Sequence, residues 1–267
     1  MAKSKILMPA FSESGPHSLP FVHDDQVTRS LQFTPHGVQS MMCCQRPFDL
    51  EVAYTKTMMG FLLVQPHPVH ILMIGLGGGS LAKFCYQHLP QTRITVVEIN
   101  PHVIAMRQQF LIPDDDARLR VVCADGVHFV RDAPPGFDVI LVDGFDEQGL
   151  SVQLCTLGFY EHCRRIMTAS SVLAVNLDTA HPEHAEFTAR IDQVFNGHAV
   201  AVDVIDRNNS ILFAGKRLPM AASGMSLRES LGHHSENARA QLTTEFQRIL
   251  PLMASREPLD QGVCMSL

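Results

Sequence analysis

Clustered basic residues are missing from this chain: its 21 lysines and arginines are scattered among 27 aspartates and glutamates, for a formal charge of −6. Phosphate binding needs a basic footprint, so nucleic acid is not an expected partner, whereas a small cationic ligand is compatible with the balance. Gly or polar residues interrupt every apolar run well short of the ~18 residues of a membrane-crossing helix, so no membrane partner is expected. The opening segment MAKSKILMPAFSESGPHS has too short an apolar core for a secretory signal. The seven cysteines (Cys43, Cys44, Cys85, Cys123, Cys155, Cys163 and Cys264) include no CxxC pair and are odd in number. That pattern reads as reduced thiols of a cytoplasmic protein, not a disulfide framework. None of the 14 histidines falls in HExxH or beside a CxxC, so no metal is expected. Internal repeats are absent as well. What is present is 267 residues that are 46% hydrophobic, enough for one large domain with or without an appendage.

Residues 1–16 are polar and Pro/Gly/Ser-bearing and read as a loose arm. From Leu19 to Cys44 the pattern is strand-like. It runs LPFVH, a turn at Asp24-Asp25, VTRSLQF, a turn at Pro35-His36-Gly37, then VQSMMCC, which predicts a small antiparallel β-element. Residues 50–64 carry apolar positions at helical spacing and stop near Pro66 and Pro68. Strands are then expected at 69–75, 93–99, 119–125, 137–143 and 171–177. Helices are expected at 80–89, 101–111, 126–131, 156–168 and 182–195. Pro101 opens its helix where a missing N–H does no harm. The strands are apolar throughout instead of alternating, which implies a parallel sheet covered on both faces. AVAVDVID and SILFAGK, joined around Asn208-Asn209, close the sheet edge as an antiparallel hairpin. Three regions follow: an arm and small β-domain (1–48), a Rossmann-like nucleoside-binding domain (49–217), and an extension (218–267) with one helix near 235–250.

Ligands of an open parallel sheet bind outside the carboxyl ends of its strands, at the switch point. The first strand ends in Gly75-Leu76-Gly77-Gly78-Gly79-Ser80, the second in Glu98, the third in Asp125-Gly126 and the fourth in Asp143-Gly-Phe-Asp146. Gly75, Gly77 and Gly79 permit torsions and close approaches that a Cβ would block. The helix opening there offers bare N–H groups and positive dipole to a ligand. Glu98, 23 residues beyond Gly75, stands about where an acid accepts from both ribose hydroxyls. Asp125 can receive an adenine amine. Asp143 and Asp146 have no nucleotide task and are candidates for the reacting group. A dinucleotide site competes, since the GxGxxG pattern fails only at Ser80; the acid pair after the fourth strand and the closing hairpin disfavour it.

These segments together resemble the spermidine synthases, the polyamine aminopropyltransferases, from about Leu19 to Lys216. The β-element with Gln39-Ser40, the helix start at Tyr54, ILMIGLGGG, VVEINPHVI, CADGVHFV and VDGFDEQG follow that family's order. The resemblance implies a doubly wound α/β sheet of the S-adenosylmethionine-dependent methyltransferase type, order 3-2-1-4-5-7-6, and a homodimer. It implies that Glu98 holds the ribose, that Asp125 with Gly126 meets adenine, and that Gln39 and Tyr54 contact substrate. Asp143 would activate an amine that Asp146 helps to bind. The reaction implied is aminopropyl transfer from decarboxylated S-adenosylmethionine to a small cationic amine. The alternatives on the same scaffold are a methyltransferase using intact S-adenosylmethionine and a non-catalytic nucleoside-binding protein. Three positions depart from the family pattern. Gly78 stands where the family's glycine loop has Asp, Lys56 where it has Glu, and Glu147 where it has Pro. Gly78 is therefore expected to set the choice of donor.

Overall fold

The computed structural model describes residues 5–7, 17–34, 37–205, 208–216, 218 and 231–254. In chain order, β1 (Lys5–Leu7), β2 (Phe21–Asp24), β3 (Thr28–Thr34) and β4 (Gly37–Cys43) form one antiparallel sheet in that order. There follow α1 (Ala53–Met58), a 3-10 turn at Met59–Leu63, β5 (His70–Ile74), α2 (Ser80–His88), β6 (Arg93–Glu98), α3 (Pro101–Ala105), β7 (Leu119–Cys123), α4 (Gly126–Asp132) and β8 (Phe137–Val142). A two-residue hairpin, β9 (Phe145–Asp146) and β10 (Gly149–Leu150), then interrupts the alternation. It resumes with α5 (Leu157–Ile166), β11 (Met167–Asp178), α6 (His184–Val194), β12 (Ala199–Asp203), β13 (Asn209–Ala214) and α7 (Glu236–Ala254).

The large sheet runs β12-β13-β11-β8-β5-β6-β7, with β5, β6, β7, β8 and β11 parallel and the β12–β13 hairpin antiparallel. Counted in chain order from the β7 edge, that is 3-2-1-4-5-7-6, the expected order. The order reverses between β5 and β8, so their carboxyl ends form the switch point. The apolar strands bury both faces. One face packs on α1, α2, α7 and the small sheet, and the other on α4, α5 and α6. Met58 and Met59, read from spacing as core residues, are both fully buried.

Several expected boundaries move, each for a local reason. The helix expected at 50–64 tightens to 3-10 at Met59. A Cβ at Gly60 would come 2.6 Å from Ile249 Cδ1 and 2.9 Å from Phe213 Cζ, so the backbone itself fills that contact. The helix expected at 101–111 ends at Ala105, and Leu111 adopts a left-handed φ of 54° that turns the chain back. Part of the expected arm is ordered: residues 5–7 pair with β2, while the rest of 1–16 lies outside the described residues. So do the turn at 35–36 and most of 218–230. The single helix expected in the extension is α7. Leu242, Phe246, Ile249 and Met253, at helical spacing, are fully buried against the core.

Candidate active site

The carboxyl ends of β5, β6, β8 and β11, roofed by the small sheet, enclose a cavity of about 890 Å³. Of the strand-end residues selected from the sequence, all but Gly78 and Gly79 lie at its wall: Gly75, Gly77, Glu98, Asp125, Gly126, Asp143 and Asp146, with Gln39 and Tyr54 from the roof and α1. Gly79 supports from behind. With φ +70° it precedes the first turn of α2, and a Cβ there would lie 2.5 Å from Ile112. Glu147 and Asp178 join the wall, so six carboxylates line the cavity. Among the described lining residues there is no lysine or arginine.

Each acid is held differently. Glu98, only 8% exposed, accepts at Oε2 from the Leu76 N–H and at Oε1 from the Asn100 N–H, both at 2.8 Å. It thus ties the glycine turn to the end of β6 and keeps further lone pairs for a ligand. Burial pushes its carboxyl above the usual carboxylate range, and those backbone donors work against the shift. Asp125 is the N-cap of α4, accepting at Oδ1 from the Val127 N–H at 2.7 Å. Its neighbour Gly126 is needed because a Cβ would lie 2.5 Å from Ile74 Cγ2. Asp146 accepts at Oδ1 from the Gln148 N–H at 2.7 Å, closing its own hairpin turn, and its carbonyl accepts from Gln39 Nε2 at 3.3 Å. Gln39 thereby joins the small sheet to the β9–β10 hairpin.

Asp143 is the most elaborately held. It accepts at Oδ2 from the Tyr54 hydroxyl at 3.0 Å and at Oδ1 from Asn176 Nδ2 at 2.9 Å. Burial at the cavity wall pushes its carboxyl up, while the two donors favour its ionised form. The first strand's glycine makes room for it: Gly75 has φ +100°, and a Cβ there would stand 2.2 Å from the Asp143 carbonyl oxygen.

Gly78 does not behave as expected. It does not line the cavity, and a Cβ there would run 2.6 Å from Ser40 Oγ and 2.9 Å from Cδ1 of the fully buried Phe110. A side chain at 78 would therefore collide with the small sheet before reaching a ligand. We expect Gly78→Asp to destabilise the protein by about 1–3 kcal/mol, the range of overpacking. Adding Ser40→Gly should recover part of that loss, and thermal melts of the single and double variants check both points. Lys56 also lies off the cavity wall. Glu147 is on it, accepting from the Ser18 hydroxyl.

Sequence reading missed Asn176 and Asn209. Asn176 is 2% exposed and is the one polar residue inside the apolar stretch Val172–Leu177. That was its available signal, because a buried amide needs partners. Asn209 was read as part of a turn; it opens β13 and donates from Nδ2 to Asn176 Oδ1 at 2.9 Å.

The spermine/spermidine synthase domain family matches residues 51–203. A polyamine aminopropyltransferase from Chromobacterium violaceum is 35% identical over 202 residues, covering 75% of this chain and 77% of that protein. Among solved structures, a spermidine synthase in complex with the transition-state analogue AdoDATO superposes with a TM-score of 0.60 at 17% identity, over 90% of each chain. Human methyltransferase-like protein 13, in complex with SAH, gives 0.57 at 23% identity, over 80% of this chain and 98% of that one. At these identities the structural likenesses speak to the fold.

Proposed function

Because this chain belongs to the spermine/spermidine synthase family and so is a transferase, we propose that it moves an aminopropyl group from decarboxylated S-adenosylmethionine to a small amine. The observation that carries this reading is the cavity of six carboxylates with no lysine or arginine among the described residues of its wall. Donor and acceptor are both cations, and a low-dielectric cleft of one sign concentrates the opposite one.

The chemistry follows from the placement of Asp143. An amine arrives protonated and must lose that proton before its lone pair can attack the carbon beside the sulfonium. As the new C–N bond forms, the C–S bond breaks and its electron pair stays on sulfur, so the nucleoside leaves as a neutral thioether. Asp143 takes the proton. Its burial raises its proton affinity above that of an ordinary carboxylate, while Tyr54 and Asn176 fix its direction. Asp146 orients the amine from the hairpin. A leaving group that departs neutral requires no metal. On the nucleoside side, Glu98 takes the ribose hydroxyls and the outer oxygen of Asp125 the adenine amine. The rest of the rate comes from holding donor carbon and nitrogen in line.

Glu98→Gln is expected to weaken nucleoside binding by about 1.5–3 kcal/mol, the scale of a hydrogen bond to a charged group. The amide would also turn an N–H toward one of the two backbone donors Glu98 now serves. Calorimetry with 5′-methylthioadenosine measures it, and an unchanged affinity would remove Glu98 from the ribose. The whole reading is tested by thermal shift with decarboxylated S-adenosylmethionine, intact S-adenosylmethionine, 5′-methylthioadenosine and NAD. The decarboxylated donor should stabilise most and NAD not at all. A larger shift with the intact form would favour methyl transfer.

A further inference from the structure

Behind the Asp143 carboxylate runs a line of side-chain amides. Asn176 donates to Asp143 Oδ1 and accepts at its own Oδ1 from Asn209 Nδ2, each at 2.9 Å. Sheet register explains the alignment. Val142 pairs in parallel with Val175, so the next residue on each strand, Asp143 and Asn176, stand side by side. Asn176 pairs antiparallel with Ile211, and Asn209, two residues before Ile211, is its diagonal neighbour on the same sheet face. Three strands thus place an acid and two amides in a row.

A primary amide has two ends of nearly equal size, one that only donates and one that only accepts. With its NH2 toward Asp143, Asn176 stabilises the ionised carboxylate. Turned over, it would set oxygen against oxygen. Apolar packing around Asn176 cannot choose between two ends of the same shape; a donor on the far side can. We propose that Asn209 is a positioning residue that fixes the amide orientation of Asn176 and, through it, the hydrogen bonding of the Asp143 carboxylate. This rests on Asp143 being the base. The other donor to Asp143 is Tyr54, from α1. The remaining ionisable groups of the same cavity are Glu98, Asp125, Asp146, Glu147, Asp178 and His17. Without Asn209 the Asn176 amide is free to turn, and the buried carboxyl holds its proton to higher pH.

The test uses Asn209→Ala in the full chain, alone and combined with Asn176→Ala. The Asp143 carboxyl is titrated by carboxyl-carbon NMR, its signal assigned by its loss in Asp143→Asn, and turnover is measured across the same pH range. In Asn209→Ala the carboxyl should titrate at higher pH than in the wild type, and kcat should fall about tenfold on the acid side, the scale of a lost donor to a charged group, and less on the alkaline side. On the Asn176→Ala background, adding Asn209→Ala should change neither quantity. An unmoved titration in the single variant, or a further change of equal size in the double variant, overturns the relay. A KM increase that persists without Asn176 overturns it too, since Asn209 would then be touching substrate directly. If Asn209→Ala does not fold, Asn209→Leu removes the donor at similar size. The titration reports on the relay whether or not Asp143 is the base. Wild-type turnover in a folded Asp143→Asn protein would end the base assignment alone.

Discussion

Replacing Asp143 with asparagine should lower turnover by about 10²–10⁴, the contribution of a positioned general base, with nucleoside affinity nearly unchanged. The substitution is a clean one. An Asn at 143 can still accept from Asn176 with its carbonyl end, and the Tyr54 hydroxyl can rotate to accept from the amide end, so both present hydrogen-bond positions keep partners. The sign of the stability effect is also set. Asp143 has its folded pKa raised above the usual 3.8 by burial. Its contribution to stability is therefore full below that value and is lost as pH rises through the folded pKa. At neutral pH the asparagine variant should melt no lower than the wild type, and the gap should change in favour of the wild type as pH falls toward the carboxylate range. An acid that merely held the loop would give the opposite pair of results, a lower melting temperature and an activity loss that tracks it. The same raised pKa places the acid limb of the wild-type rate profile above the titration of an ordinary aspartate.

The second large effect is expected from Gly75→Ala, although the substitution adds one methyl group. Gly75 holds φ +100°, a region strained for any L side chain, and the new Cβ would stand 2.2 Å from a backbone oxygen of Asp143. No rotamer change relieves a clash between Cβ and backbone. The torsion alone is worth about 1–3 kcal/mol. Relief of the overlap must come from moving β5 and β8 apart at the switch point, where Gly75 N–H bonds to the Val97 carbonyl and Asp143 N–H to the Ile74 carbonyl. A loss of about 3 kcal/mol corresponds to a melting temperature lower by roughly 6–12 °C for a chain of this size. Any protein that does fold should have lost turnover as well, because the displaced residue is Asp143. Gly136→Ala serves as a control for the torsion: its φ is +143°, yet a Cβ there meets nothing within 4 Å.

The large sheet was legible because buried parallel strands leave unbroken apolar runs, and because chemistry in such a sheet gathers at strand ends. Gly75, Glu98, Asp125 and Asp143 could be found by reading the last residue of each run. What escaped depends on pairing between distant segments. Asn176 and Asn209 meet Asp143 only through the register of β8, β11 and β13. Gly78 looked like a vacant substrate contact, but the space its missing side chain would enter is filled by Ser40 of the small sheet and by Phe110 beyond α3. The β9–β10 hairpin has strands of two residues each, too short for any periodicity to register. It nonetheless carries Asp146 and Glu147 to the cavity rim.

The central claim is that this acidic cavity transfers an aminopropyl group to an amine, and turnover products test it most directly. The purified chain is incubated with decarboxylated S-adenosylmethionine and a panel of diamines and polyamines, and in parallel with intact S-adenosylmethionine and the same amines. Nucleoside and amine products are then identified by mass spectrometry. Aminopropyl transfer predicts 5′-methylthioadenosine released in step with an aminopropylated amine from the decarboxylated donor, with both slowed by about 10² or more in Asp143→Asn. Release of S-adenosylhomocysteine and a methylated amine from the intact donor, with the decarboxylated one left unconsumed, would contradict it.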